Sequence, residues 1–431
     1  MNTKKLYIYL PIILFTLIIT FFFDFDISNG GASRDLYYHW EYIIALNQDI
    51  SILLERDHSY KNGFSQHYPL HHIIVSRFDF LSTNVKTYLN FYFFFSLFLP
   101  ILFYYCIKNR FPEIDNDKKI FISSIIYFLP NYQSSAIWGN THISSLFFFL
   151  GSIYFLNNLE KKEETKIYFN IFFVVFFMAC AAYIRQYYII FFPYFFIFIY
   201  MNAKFKNTVF FCLVSFFLSL PGLYFYINNP MLLGGLLTQS TDFKSSILIV
   251  FSIVLVYLIP LYISNLNYNV KRTLELFENK KFSILFSLSI IIIFYTFLNF
   301  NYTGYLGGGF FYKISKVLIG NNLLFFVITL TSLFLCFYYF GNRLSDIILI
   351  IILSTSFSTG YVIFQKYFEP MFLIIIFLLI DRKLVKKIFN FNIHVVFIYF
   401  SIYWIVYFIY ASNLIKKMHL LLPQVGYIVI N

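Results

Sequence analysis

Long apolar runs separated by short polar intervals fill almost the whole chain. About 20 apolar residues cross a bilayer as one helix, so each run predicts a membrane-spanning helix. The runs lie at 6–24, 87–107, 120–135, 143–158, 167–183, 187–202, 207–227, 246–266, 282–300, 321–340, 345–363, 368–381 and 393–410. Within 120–158, Pro130 allows two spans joined by a re-entrant turn. The pattern predicts an all-α polytopic membrane protein with about 12–13 transmembrane helices, forming a single integral-membrane domain over residues 1–431.

The longest polar interval, residues 24–86, directly follows the first apolar run. Within it, residues 36–46 carry apolar side chains at helical spacing, which predicts a short helix lying at the membrane surface. Pro69 precedes the apolar residues 73–75 and predicts the start of another helix. We therefore expect a long first loop outside the membrane that contains short interfacial helices.

Composition excludes a water-soluble protein, since 60% of the residues are hydrophobic and only 12% are charged. The net charge of +12 resides in short loops, as expected for a protein oriented in a membrane and contacting anionic lipids. No basic patch of useful size stands outside these loops, so nucleic acid is not an expected partner. The first apolar run follows two lysines without a small-residue cleavage site, which predicts a retained signal anchor.

Lysine and arginine counts predict the orientation. With the N-terminus in the cytoplasm, 20 of the 32 basic residues fall in cytoplasmic segments, and every short cytoplasmic loop carries some. The polar residues that do not orient the chain then all fall on the extracytoplasmic face. They are Asp35, His39, Glu41, Asp57, His58, Asn140, His142, Arg185, Gln186, Gln239, Asp242, Lys244, Lys313, Lys316, Gln365, Lys366 and Glu369.

Asp35 is the first candidate for chemistry. A carboxylate held at the membrane boundary, partly out of water, suits a general base. His39 follows at i+4 and would share its helical face. The alternative is an interfacial helix whose charged side chains simply meet water.

Arg185 and Lys366 are candidates for binding phosphate. Arginine offers a planar fork for two phosphate oxygens, and lysine adds a point charge. A leaving phosphate gains charge in a transition state and needs such groups. Alternatively, both side chains reach out to lipid headgroups. The glycines at 307–309 suggest a phosphate cradle only weakly, because such runs are usually turns.

Metal chemistry receives little support. His58, His67, His71 and His72 share the first loop, but their spacing matches no metal-ligand motif, so no metal site is predicted from them. A divalent cation, Mg²⁺ or Mn²⁺, bound through Asp35 stays open as the only cofactor.

The order of these features resembles the GT-C superfamily of integral-membrane glycosyltransferases, and within it the dolichyl-phosphate-glucose-dependent α-1,2-glucosyltransferases. Residues 35–39 (DLYYH) are similar to that family's acidic pair followed by an aromatic residue and His, with Leu36 replacing the second acid. Residues 67–70 (HYPL) correspond to its Thr-Pro-Pro segment, and 184–187 (IRQY) keep the Arg-Gln of its Arg-Gln-Thr-Asn motif. Residues 234–244 resemble a Gly-containing stretch with Asp and Lys, and 365–370 (QKYFEP) a Glu-Arg-Tyr-Tyr-Pro-like stretch.

The resemblance implies a hexosyltransferase that moves a hexose, with inversion, from a polyprenyl-phosphate donor to a lipid-linked glycan or other acceptor. It places this activity on the extracytoplasmic face of a bacterial inner membrane or of the endoplasmic reticulum, as part of glycan or cell-envelope biosynthesis. Asp35 would be the general base. The substrate-binding residues would be His39, Trp40 and Tyr68 around the sugar, Arg185 and Lys366 on the phosphate, and Gln186, Asp242, Lys244 and Glu369.

Two other classes stay open. An envelope polysaccharide polymerase or ligase is also multi-span and faces outward, but its large outer loop lies late in the chain. A lipid or solute transporter favours internal repeats with broken helices near the midplane, and no convincing repeat is present here.

Overall fold

The computed structural model describes residues 6–28, 31–65, 67–159, 166–230, 243–302, 307–320, 322–341, 343–358 and 363–421. The structure is 83% helix, and no strand occurs among the described residues, which confirms the predicted all-α class. The helices in chain order are α1 (Leu6–Phe22), α2 (Gly31–Gln48), α3 (His58–Lys61), α4 (Leu70–Ser76), α5 (Asp79–Ser82), α6 (Val85–Ser96), α7 (Phe98–Arg110), α8 (Asn116–Phe128), α9 (Pro130–Ile137), α10 (His142–Leu159), α11 (Ile167–Ala182), α12 (Phe192–Asn202), α13 (Phe205–Asn228), α14 (Phe243–Ile263), α15 (Leu266–Glu278), α16 (Lys280–Leu298), α17 (Gly309–Ile319), α18 (Leu323–Phe340), α19 (Leu344–Ser358), α20 (Met371–Leu378), α21 (Arg382–Ile388) and α22 (Ile393–Leu421).

Several helices are long and apolar enough to cross a membrane. Five qualify within the described ranges: Val85–Arg110, Phe205–Asn228, Phe243–Ile263, Leu323–Phe340 and Ile393–Ser412. A sixth is added if α15 and the following helix form one broken span. Shorter apolar helices occur within α1, α11 and α19. A helix lies at each of the predicted apolar runs, and the chain is a membrane-embedded, multi-pass protein.

Residues 130–142, which we name the re-entrant turn, begin at Pro130 and are almost all buried. Helix α8 ends at Phe128, Pro130 begins α9, and every residue of α9 is buried. Proline is tolerated in the first turn of a helix because its missing N–H has no intrahelical partner there. The left-handed turn at Gly139 (φ 60°) then directs the chain into α10. After α9, residues 139–142 are buried in the protein interior.

The first loop folds onto this re-entrant turn. Its longest helix, α2, extends beyond the predicted 36–46 segment and packs against α4. One face of α2 is buried, with Leu36, His39, Ile43 and Leu46 at helical spacing. Asp35 lies beside this face and is only partly exposed.

Ion pairs hold the loops at the opposite end of the helices. Glu113 pairs with Arg382 (3.6 Å) and Lys386, and Arg343 pairs with Asp381. Buried Arg110 donates hydrogen bonds to Phe377 O (3.2 Å) in the last turn of α20 and to Ile380 O (2.8 Å) just after it. These segments are the ones that the charge count places together on the cytoplasmic side.

Candidate active site

Asp35 lies where three distant parts of the chain meet. Its Oδ2 forms an ion pair with the Lys366 ammonium group and accepts a hydrogen bond from Asn140 Nδ2 (3.0 Å). The Asp35 side chain remains 31% exposed, whereas the Lys366 side chain is 14% exposed. Asp35 Oδ1 accepts no hydrogen bond from any residue in the described ranges. The carboxylate is therefore held by one oxygen, and its other oxygen is open to a ligand.

Arg185 follows the end of α11 and is almost completely buried, with 2% exposure. Its Nε donates to Thr141 Oγ1 (2.9 Å), one Nη contacts His67 Nε2 (2.6 Å), and the other donates to Asn140 Oδ1. A buried cation needs compensating acceptors. Here all three acceptors are neutral, so none of these contacts offsets the positive charge of Arg185.

The contact with Arg185 fixes the tautomer of His67. Guanidinium can only donate, so His67 Nε2 must accept, and the imidazole proton is on Nδ1. That nitrogen then donates to Gln186 Oε1 (3.2 Å). Burial and the neighbouring Arg185 hold the pKa of His67 well below its usual range. His67 is thus a neutral group that orients the arginine.

A polar cavity of about 340 Å³ opens beside Asp35. Its lining combines one carboxylate, two aromatic rings and two imidazoles: Asp35, Tyr38, His39, Gly63, Phe64, Ser65 and His67. Aromatic faces and hydrogen-bonding groups around a cavity of this size suit a small polar ligand such as a sugar ring.

The remaining histidines of the first loop pair with one another or with hydroxyl groups. His39 Nδ1 lies 2.9 Å from His72 Nε2, and His71 lies between Ser144 Oγ (3.0 Å) and Tyr88 OH (3.1 Å). In the described part of the chain, no group of three or more His, Cys, Asp or Glu could hold a metal ion. The Lys366 ammonium is the charged group that contacts Asp35 in the described part of the chain. A divalent cation bound through Asp35 stays a prediction.

A larger apolar groove of about 700 Å³ lies between α11, α12 and α13. Tyr68 and Tyr183 line it, and each lies close in sequence to a residue of the polar site, His67 and Arg185 respectively. The two segments are joined directly, since Leu70 N donates to Tyr183 O (3.1 Å). The groove and the polar site therefore take residues from the same two segments of the chain.

The other predicted site residues occupy different surroundings. Trp40 packs on the Tyr88 ring at 5.7 Å, and Tyr68 lines the apolar groove instead of the polar cavity. Lys244 is exposed, with its Nζ 5.3 Å from the centre of the Tyr295 ring.

Glu369 is fully buried behind the site. Its carboxylate accepts hydrogen bonds from Asn131 N (2.8 Å) and the Tyr403 hydroxyl. Asp242 lies outside the described residues.

Asn140 and Thr141 were absent from the predicted site, although Asn140 was among the polar residues assigned to the outer face. Both contact Arg185, and Asn140 also contacts Asp35. Their position after a re-entrant proline was the signal available in the sequence.

No known protein family, curated protein or solved structure matches this chain.

Proposed function

We propose that this chain is a membrane-embedded hexosyltransferase of the GT-C kind. It takes a hexose from a polyprenyl-phosphate donor and transfers it, with inversion, to a lipid-linked glycan or similar acceptor on the extracytoplasmic face. The observation that carries this proposal is the cluster of Asp35, Asn140, Arg185 and Lys366 at the edge of the polar cavity. In this cluster a carboxylate with one open oxygen contacts one cationic side chain, Lys366, and is linked to a second, Arg185, through Asn140.

The charges of this cluster suit one phosphodiester. Arg185 and Lys366 contribute two positive charges and Asp35 contributes one negative charge, because His67 is neutral. The excess of one positive charge matches the single negative charge of a phosphate that links a lipid to a sugar. A pyrophosphate-linked donor would bring more negative charge than these groups balance.

Asp35 Oδ1 would receive the proton of an acceptor hydroxyl in the polar cavity. The hydroxyl oxygen would attack the anomeric carbon while the bond between that carbon and the phosphate oxygen breaks. Arg185 and Lys366 would stabilise the charge that develops on the departing phosphate. A positioned general base contributes about 10²- to 10⁴-fold to such a step.

The apolar groove supports a lipid-linked substrate. A phosphate bound at Arg185 would be two residues along the chain from Tyr183, which lines the groove. A polyprenyl chain attached to this phosphate would continue into the groove between α11 and α13. Burial of its apolar surface there would anchor the donor.

The proposal is tested by Asp35→Asn, which keeps the size of the side chain and removes the base. Purified protein in liposomes is supplied with polyprenyl-phosphate-glucose or polyprenyl-phosphate-mannose and a lipid-linked glycan extract, and products are identified by mass spectrometry. We expect a loss of about 100-fold or more in Asp35→Asn. Glu41→Gln, on the exposed side of the same helix, is the matched control and should transfer normally. Normal transfer by Asp35→Asn would refute the proposed role of this carboxylate.

A further inference from the structure

Asn140 connects the candidate base with the candidate phosphate site through a single amide group. Its Oδ1 accepts from Arg185 and from His142 N (3.2 Å), and its Nδ2 donates to Asp35 Oδ2 (3.0 Å). The orientation of the amide is unambiguous because guanidinium offers only donors and a carboxylate only acceptors. Both the oxygen and the nitrogen of the Asn140 side-chain amide are therefore engaged in hydrogen bonds.

The backbone around Asn140 is equally constrained. Its carbonyl oxygen accepts from the Tyr92 hydroxyl, and its N–H donates to Ser135 O (3.0 Å). The preceding residue, Gly139, has no space for a side chain, since an added Cβ would lie 2.5 Å from the Tyr88 ring. The side chain is fully buried, so this amide cannot swing away from Asp35 without repacking its neighbours.

Lys366 holds the same carboxylate oxygen in a different way. Its ammonium group is at the end of a flexible chain, and a phosphate arriving at Arg185 would compete with Asp35 for it. When Lys366 turns to the phosphate, the ion pair that restrains Asp35 is lost. The hydrogen bond from Asn140 is then the remaining described contact that fixes the direction of the carboxylate.

We propose that Asn140 is a positioning residue that keeps Asp35 aimed into the polar cavity after a substrate phosphate has drawn Lys366 away. This inference rests on the proposed transferase function. In the step it serves, the acceptor hydroxyl proton passes to Asp35 Oδ1, and a bond forms between the acceptor oxygen and the anomeric carbon. The bond from that carbon to the phosphate oxygen breaks, and its electron pair leaves with the phosphate.

Asn140→Asp keeps the contact of this side chain with Arg185 and removes its hydrogen bond to Asp35. The new carboxylate still accepts from Arg185 and His142, but it places an acceptor and a like charge against Asp35. We expect kcat to fall about 10- to 100-fold. The KM for polyprenyl-phosphate-hexose should rise as well, because the added negative charge cancels the excess positive charge beside Arg185. Asn140→Ala, which introduces no charge, should lower kcat in the same direction.

Thr141→Val is the matched control on the adjacent residue. It removes the Thr141 hydroxyl that supports Arg185 Nε and leaves the Asp35 contacts unchanged. We expect this variant to raise the KM for the lipid donor about threefold or more, with kcat within about twofold of the wild type. A purely supportive role of Asn140 beneath Arg185 would give both variants the same kinetic change.

Folding of each variant is checked by gel filtration in detergent before the kinetic measurements. A wild-type kcat in Asn140→Asp or Asn140→Ala, or a change in donor KM alone, overturns the positioning role and leaves the transferase proposal standing. Failure of the proposed function gives a different result, because the wild type then transfers no hexose or Asp35→Asn transfers it normally.

Discussion

Acidification should destabilise this protein below about pH 6.5, because four imidazoles of the first loop, three buried and one partly buried, are held as neutral groups. Burial holds the pKa of His39, His67 and His72 well below the usual value, and it lowers the pKa of His71 to about 3. Arg185 adds to the effect on all four imidazoles, since its positive charge opposes a second one nearby. In the unfolded chain the same imidazoles titrate near 6.5.

The sign and size of the change in the free energy of unfolding follow from the difference in bound protons between the unfolded and the folded protein. Between about pH 6.5 and the lowered folded-state pKa values, the unfolded chain binds protons that the folded protein excludes, so the free energy of unfolding falls with falling pH. The stability is fully present above pH 6.5. Each imidazole that stays neutral lowers the free energy of unfolding by about 1.4 kcal/mol per pH unit, or about 2 kcal/mol at pH 5. Four such groups approach the whole stability of an ordinary fold, about 5–15 kcal/mol.

The assay is denaturant unfolding in detergent followed by tryptophan fluorescence, between pH 8 and pH 5. His72→Phe should reduce the pH dependence by about one proton, which is about 2 kcal/mol at pH 5. Ser144→Ala is the matched control, because it removes a hydrogen-bond partner of His71 without removing an imidazole. It should shift the curve by a constant amount at every pH. A pH dependence in His72→Phe equal to that of the wild type would refute the reasoning.

Two further predictions concern the re-entrant turn and the groove. Gly139→Ala should lower the free energy of unfolding by about 2 kcal/mol or more in the same assay, because the new Cβ meets the Tyr88 ring at 2.5 Å and the backbone is left-handed. The control is Gly63→Ala, at a left-handed glycine with open space around it, which should lower the free energy of unfolding by less. Ser219→Trp fills the groove and should raise the KM for a long-chain polyprenyl-phosphate donor more than the KM for a short-chain analogue. The control, Leu213→Trp on the exposed side of the same helix, should not change the two KM values differently. Equal KM changes for both donors in Ser219→Trp would argue against a lipid chain in the groove.

The helical class and the positions of the helices were predictable because a helix that crosses a membrane requires a long apolar run, which is visible in the sequence. The charge count was also informative: Asp35, Asn140, Arg185 and Lys366, all assigned to one face, are in contact with one another. Residues assigned to the other face, such as Glu113 and Lys386, pair at the opposite end. The side of the membrane on which a residue lies therefore groups residues that are far apart in the sequence.

The partners of each side chain were not predictable from the pattern. Trp40 follows His39 directly, yet it faces Tyr88 because neighbouring residues on a helix point about 100° apart. Tyr68 follows His67, but the two side chains line different cavities. Glu369 is assigned to the outer face by its loop, yet its carboxylate is buried against Asn131 and Tyr403. The neighbours that each side chain contacts depend on how the helices pack, and a local sequence pattern does not show that packing.

The site is best understood as one hydrogen-bonded chain from Lys366 through Asp35, Asn140 and Arg185 to His67. Its members come from the first loop, the re-entrant turn, the end of α11 and the segment before α20. Each apolar helix could be replaced by another apolar sequence of similar volume with modest cost, but this chain tolerates no exchange of donor and acceptor. Lys366 and Arg185 can only donate, ionised Asp35 can only accept, and Asn140, which joins Asp35 to Arg185, must do both. Asn140 therefore fixes the direction of the hydrogen bonds in the network, and its side chain links the candidate base Asp35 to Arg185, one of the cations that would hold a phosphate.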